Sequence, residues 1–513
     1  MKNDNFSRKG IIITYVLVFG AVFLLMLAGL FGYILLQLRQ SLQRVASSEA
    51  LNIAEAGIDY YRWCANNEVQ DDCAKGADYY YDYYDGNGVL AGEFSIIASS
   101  TLSCGKTSQL QITAIGRTRQ FPGLERKVRI TYGRESVAKY SYILNSSVWI
   151  GGDHEINGPY HSNGGIRMDG QNQSLMTSAV LTTLNGTTTA EWICDGAYGC
   201  GLTACSAWIT DDCCPLSRGC RISAGKCICP GIFTTTANST PSLFKFPVPP
   251  FPFDAITMDL GDIKKAAKTG GGIYFSPSLD EVPGSKGYHL VFLNNGTVRV
   301  STVRSLHPVN GYNSEEGWHQ DRFIISNEDT YTKDHADGIY PIPADCSAIY
   351  VEDNLWVEGT VKGKVVVASA HLKDPGDTDP DIDTDVVFPG NITYSSYGGS
   401  DGLAVIAENN ALISPASPED MDLHAIIVAQ KGRFGRNHYT DWAYRDRGIL
   451  SIYGSVISKG RVGTQWVDTD SGQMLSGYAQ RYTYFDQNQV YNPPPFVANM
   501  SSDYKIVSWQ EIN

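Results

Sequence analysis

At 513 residues the chain is too long for one small domain. Its net charge of -14 at pH 7 argues against nucleic acid as a partner and suits an exported, acidic surface. With 51 Gly, 30 Tyr and only 18% charged residues, the composition points to β-structure with many turns rather than to helices.

The amino-terminal end is the exception. From Ile11 to Leu36 no residue is charged, and the run exceeds the roughly 20 residues that a helix needs to cross a bilayer core. It is too long for the apolar core of a secretory signal, and no Pro or turn cluster comes after it. Arg8 and Lys9 precede it, which keeps the amino terminus in the cytoplasm and exports the rest, although Arg39 and Arg44 on the far side oppose that rule. Beyond the run, Leu38, Leu42, Val45, Ala46, Ala50, Ile53, Ala54, Ile58 and Tyr61 recur at spacings of three and four, the stripe of an amphipathic helix. Residues 11–63 therefore read as one helix, roughly 80 Å long at 1.5 Å per residue. It is apolar all round over 11–36 and apolar on one face after that. A plain anchor has no need of rigid fusion to its cargo. A helix that packs in a filament core after leaving the bilayer does.

The leader "RKG" directly before the apolar helix, together with "EALNIAEAGID" opening at Glu49, resembles the amino terminus of type IV pilin-like proteins, the PilX-like minor pilins in particular. The resemblance implies cleavage by prepilin peptidase after Gly10, leaving Ile11 as the new amino terminus. The tetrapeptide Ala54, Glu55, Ala56 and Gly57 matches that family's amino-terminal motif. The resemblance further implies a single-pass protein of the cytoplasmic membrane, amino terminus inside, that moves to an extracellular pilus. Its partners would be other pilins and the pilus assembly machinery. Major pilins usually carry Glu at the fifth mature position, where the carboxylate is thought to pair with a neighbour's amino terminus. A carboxylate in the membrane is costly unless paired. This chain has Tyr15 there, and tip subunits of related systems tend to lack the Glu, so Tyr15 favours a tip or priming role over a shaft role.

After the helix, "GEFSIIASS", "SQLQITAIGRT" and "RKVRITYGR" are alternating segments at hairpin spacing. They predict, within 64–135, a small antiparallel sheet packed on the exported half of the helix. The tyrosine-rich "ADYYYDYYDGNG" is expected as a loop at its edge. From 137 to 485, short apolar strands alternate with Gly and Asn turns, as in "IYVEDNLWVEGTVKGKVVVAS". That period predicts a right-handed parallel β-helix or solenoid, with an antiparallel sandwich as the alternative. "GPYHSNGGIRMDG", "VEGTVKGKVVVAS" and the closing "RYTYFDQNQVYNPPPF" also resemble the carboxy-terminal halves of large bacterial PilX-like proteins, a likeness that implies no activity. Pro493 to Pro495 cannot join a central ladder, so 486–513 is expected as a strap or cap. The fold class expected is thus mainly β, with one long amino-terminal α-helix.

Of 12 cysteines, eight fall close together: Cys194, Cys200, Cys205, Cys213, Cys214, Cys220, Cys227 and Cys229. The surrounding segment 190–232 holds little aliphatic material and needs staples. It has no CxxC pair and no His, unlike a zinc ribbon. In an exported chain the expectation is disulfides, hence an inserted knob whose connectivity stays open. Cys64 and Cys73 can close a local loop. Cys104 and Cys346 are left to pair with each other or to stay free. "FKFPVPPFPFDAITMDLGD" makes a stiff, Pro-rich return.

A second cluster, "DPGDTDPDIDTD", holds Asp374, Asp377, Asp379, Asp381, Asp383 and Asp385. Alternate aspartates in a loop can converge on Ca²⁺. The Gly and closing Glu of an EF-hand are missing, and a solvated acidic loop is the plainer reading. For catalysis the candidates are His319, Asp321, Asp334, His335 and Asp337, close in sequence, because β-helices host polysaccharide lyases and hydrolases built on paired carboxylates. Such residues are more often turn formers, and no nucleophile elbow, phosphate loop or HExxH is present. The expectation is therefore not an enzyme but a minor pilin-like subunit, at a filament tip, serving pilus assembly or adhesion to a surface or glycan. A membrane-anchored surface protein that binds or degrades glycans is the alternative.

Overall fold

A computed structural model describes residues 7–66, 73–184, 186–200, 213–256, 258–373, 383–468 and 472–512. The chain divides into two compact units. The first comprises Met1–Ser100, Leu110–Tyr132 and Ile506–Asn513, and the second Thr101–Gln109 and Gly133–Lys505.

In the first unit, α1 runs unbroken over Ser7–Asn66, as expected of a stretch without proline. Phe19, Leu25 and Met26 are 70%, 74% and 69% exposed, and α1 is long and apolar enough to cross a membrane by length and composition. From Ala46 onward the character changes: Ala46, Ala50, Ile53, Ala54 and Ile58 are buried. They pack on a five-stranded sheet of β1 (Gly76–Tyr84), β2 (Leu90–Ser103), β3 (Lys106–Thr118) and β4 (Glu125–Ser136), with the strand Asn499–Ile512 beside β4. β1 with β2 and β3 with β4 run antiparallel. Phe94 and Ile96, Ile112 and Ala114, Val128 and Ile130 alternate toward the helix, the period of two that a one-sided sheet requires.

The tyrosine-rich stretch expected as a loop is strand β1 instead. Its tyrosines have strong strand preference and find partners on the sheet: Tyr81 stacks on Phe94 at 5.4 Å, and the Arg117 guanidinium lies 3.7 Å above the Tyr80 ring. The carboxy-terminal segment also departs from expectation. Rather than ending as a strap throughout, it adds the fifth strand to this sheet, where Arg126 pairs with Glu511.

The second unit is built mainly from parallel ladders. One runs from Ile273–Phe275 through Ala348–Val351, Lys364–Ser369, Gly402–Ala407 and Met421–Ala429 to Asp446–Ser458. It continues into Tyr142–Leu144, Tyr160–Ser162 and Met176–Ser178. A strand late in this unit thus pairs with the strand near its start, Val456 beside Tyr142. A second ladder passes from Tyr288–Leu293 through Leu355–Val361 to Val386–Phe388 and Ala411–Ile413. These strands are buried on both faces, which is why they read as continuous apolar runs. Ile349, Val367, Val405 and Ile427 point into one core. Tyr350, Val366, Ile406 and Val428 point into another, covered by Ile263, Ala266 and Ala267 of the short helix Leu260–Thr269.

The pairings do not make the closed, regular solenoid expected over 137–485. Thr297–Asn313 and Gly317–Thr330 form a long antiparallel arm, and Gln465–Val467 pairs antiparallel with Met474–Tyr484. The chain lengths between successive ladder strands are unequal, because insertions of different length leave at the turns, where they cost little.

Candidate functional site

Within α1 the motif residues have separate places. Ala54 and Gly57 are buried against the sheet, Ala56 is half-buried, and Glu49 and Glu55 face outward. The burial has a steric cause. A Cβ added at Gly116 of β3 would come within 2.3 Å of the Ala50 carbonyl and 2.4 Å of the Ala54 nitrogen. One added at Gly57 would lie 2.9 Å from the Phe94 ring. Small residues on both partners bring the helix backbone onto the sheet. Tyr15 is 62% exposed on the apolar half, and Gly10 and Ile11 lie in the first turns of α1.

The cysteine-rich insertion is a small sheet of Glu191–Cys194, Lys226–Pro230 and Arg221–Ser223. It is laced by Cys194–Cys200, Cys214–Cys227 and Cys220–Cys229. Cys213 is disulfide-bonded too, and Cys205 lies outside the described residues. Elsewhere Cys64 pairs with Cys73 and Cys104 with Cys346. Among the described residues no cysteine is free. The insertion is seated on its neighbours. The Trp192 ring occupies the space where a Gly165 Cβ would be, 2.1 Å away. Arg167 donates to the Tyr198 and Gly199 carbonyls at 3.0 and 2.7 Å. Arg461 donates to the Ala197 carbonyl at 2.6 Å and stacks on the Tyr198 ring.

Of the six loop aspartates, Asp374, Asp377, Asp379 and Asp381 lie outside the described residues. Asp383 is 2.5 Å from Lys431, which also holds Glu408 at 2.9 Å. Burial opposes the charge on Lys431, but the two carboxylates outweigh it and hold its pKa well above the ordinary lysine value. Asp385 belongs to a ladder of Asx side chains running from one strand start to the next. Asn354 Oδ1 accepts from the Asp385 N–H at 2.9 Å. Asp385 Oδ1 accepts from the Asn410 N–H at 2.9 Å and from Asn409 Nδ2 at 3.0 Å. Asn410 Oδ1 accepts from the Arg433 N–H at 3.0 Å. Burial pushes the Asp385 carboxyl up despite these bonds. Sequence reading missed this ladder, although it left a signal: an Asn or Asp directly before each apolar strand, in "DNLWV", "TDVVF" and "NNALI".

The ladder lines one wall of a cleft of about 530 Å³, whose other wall carries His319, Asp321 and Phe323 of the antiparallel arm. Here two of the five catalytic candidates meet: His319 Nε2 is 2.8 Å from Asp321 Oδ1. Asp321 is 2% exposed, and its carboxylate is fully engaged by Asn437 Nδ2 at 2.9 and 3.0 Å and by the Tyr439 hydroxyl at 2.8 Å. It pins the tip of the arm, where Gly311 and Tyr312 pair with Tyr439 and His438. The other three are elsewhere. His335 packs on Tyr340 at 4.4 Å between ring centroids, and Asp337 accepts from the Ile339 N–H at 3.1 Å, a turn former's bond. Asp334 acts on Tyr340 and Tyr331 and is not among the cleft residues.

No protein-family model matches the chain, and no curated protein matches it. Among solved structures, the crystal structure of the competence-associated pilin ComZ from Thermus thermophilus is similar over 91% of this chain and 97% of that one, at 13% identity and a TM-score of 0.27, too low to carry an argument about fold or function.

Proposed function

We propose that this chain is a minor pilin-like subunit of a type IV pilus or related filament. The observation that carries the reading is the division of labour within α1. One unbroken helix is apolar and exposed over its first half and seated on an antiparallel sheet over its second. Such a helix can be held by a bilayer first and by neighbouring helices afterwards, without refolding. Ala54 and Gly57 contribute the close helix–sheet approach, which gives the family-like tetrapeptide a physical role. Disulfides throughout suit the oxidising side of the membrane.

In this reading prepilin peptidase cuts between Gly10 and Ile11 at the cytoplasmic face. Other pilins and the assembly machinery receive the processed helix. Tyr15, in place of a carboxylate that needs a partner, supports a tip or priming position, where no subunit sits above. The parallel ladders make up the body of the second unit. That unit acts as a rigid stalk, and the stapled insertion is its surface for adhesion to a surface or glycan. No catalysis is proposed: the carboxylate of the one His–Asp pair in the cleft is already occupied by structural donors. The decisive experiment replaces Gly10 by Leu. The uncut protein should stay in the membrane and out of filaments, and normal incorporation would end the pilin reading.

A further inference from the structure

Lys364 begins the strand Lys364–Ser369. Its Nζ donates to Gln489 Oε1 at 2.7 Å and to the Asn492 carbonyl at 2.5 Å. Gln489, in the short helix Asn488–Tyr491, is 0% exposed. Its amide nitrogen donates to Asp486 Oδ2 and to the Asp401 carbonyl, each at 2.9 Å. Asp486 is 2% exposed and is held by the Asn488 N–H at 3.0 Å and the Tyr453 hydroxyl at 3.1 Å. A half-buried amine thus meets a buried primary carboxamide and a buried carboxylate, each fixed by further bonds. Withdrawing part of an ammonium from water is costly, and it favours the neutral, nucleophilic amine.

We propose that Lys364 and Gln489 become joined by an intramolecular amide bond, Nζ to Cδ, with Asp486 carrying the proton and ammonia leaving. The step balances. The ammonium loses a proton, and the amine lone pair attacks Cδ. Asp486 takes the second proton that Nζ sheds and passes it to Nε2, the atom its Oδ2 already touches. The Cδ–Nε2 bond breaks and ammonia departs, taking up the first proton as ammonium in water. No oxidant or cofactor enters. Burial lowers the Lys364 pKa to about 8, against the pull of Asp486 and Asp401, so about a tenth of the amine is neutral at pH 7. Neighbours fixed by hydrogen bonds supply the high effective concentration such a reaction needs. The product would lock the segment after the last ladder to a coil laid down 125 residues earlier. The chemistry does not depend on the pilin reading.

The test is peptide mass spectrometry of the full-length chain, purified folded in detergent and digested with trypsin. The expected product is a branched peptide joining the segments that contain Lys364 and Gln489, lighter than their sum by one ammonia, about 17 Da, with no cleavage after Lys364. Asp486→Asn should give the two linear peptides instead, and Lys364→Met should remove the branch. Linear peptides from the folded wild-type chain, cleaved after Lys364, would overturn the bond. A branch that persists in Asp486→Asn would overturn the role of Asp486. The wild-type result decides the bond even where a variant does not fold.

Discussion

His289 Nδ1 lies 2.7 Å from the Glu328 carboxylate, which sits opposite Val303 near the base of the antiparallel arm, with Glu358 3.2 Å from the other ring nitrogen. Burial by itself would discharge the imidazole, but the two carboxylates outweigh it and push its pKa up to about 9. His289 in turn holds Glu328 below the usual carboxylate range, with a lesser pull from Arg299.

This raised pKa gives the pH dependence a definite sign. A histidine whose folded pKa lies above its unfolded value, about 6.5, contributes stability that is complete below pH 6.5. That contribution disappears as pH rises through 9. Both glutamates are about one-third exposed, so solvent screening limits the effect to roughly 1–2 kcal/mol. Thermal melts of the full chain in detergent should show Tm falling from pH 6.5 to 9.5, and His289→Gln should flatten that slope. An unchanged slope in the variant would remove His289 as its source.

Gly116→Val should break the seating of α1 on its sheet. The added Cβ meets two backbone atoms of the helix, not a movable side-chain tip, so the helix itself must shift. A cost of about 2–4 kcal/mol is expected, read as faster proteolysis within β3 and around Ala50–Ile58 at unchanged membrane insertion. Protection equal to wild type would show that the helix is seated some other way.

The disulfides should differ in weight. Cys104–Cys346 spans 242 residues and Cys220–Cys229 only 9. Loop-closure entropy then gives about 5.5 kcal/mol for the first and about 2.5 kcal/mol for the second. Replacing each pair by serine should lower Tm more for Cys104 and Cys346, and alkylation before and after reduction should find the described cysteines oxidised. Equal losses would mean that the denatured chain keeps residues 104 and 346 close.

What the sequence could disclose depended on range. The helix was legible because its stripe repeats every three to four residues, and the small sheet because Phe94, Ile96, Ile112 and Ala114 alternate. Tyr79 to Tyr84 misled because aromatic residues interleaved with Asp suit a turn as well as an edge strand, and only Phe94 and Arg117 across the sheet decide between them. The stacking of Val456 on Tyr142, the pairing of Cys104 with Cys346 and the meeting of Lys364 with Gln489 join residues far apart in the chain. No local pattern encodes them. Asp321 was picked out for its neighbours in sequence, yet its partners Asn437 and Tyr439 arrive from far along the chain and give it a structural task.

Asp385 offers the closest test of the Asx ladder. Its carboxyl is raised by burial, so its folded pKa exceeds the unfolded one. The cost of ionisation therefore sets in as pH rises past the unfolded value, about 3.9, is complete above the folded one, and is absent below both. An asparagine at this position keeps Oδ1 as the acceptor for Asn410 N–H and Asn409 Nδ2 while carrying no charge. Asp385→Asn should be neutral or stabilising by up to about 1 kcal/mol at pH 7, with the advantage vanishing on acidification. Asp385→Ala strands two donors against the coil and should cost about 1–3 kcal/mol at every pH. Denaturation followed through Trp356, which lines the same cleft, reads both. If Asp385→Asn proved as damaging as Asp385→Ala, the negative charge itself would be what this position needs, and the ladder would have to be rebuilt around its pull on Arg433.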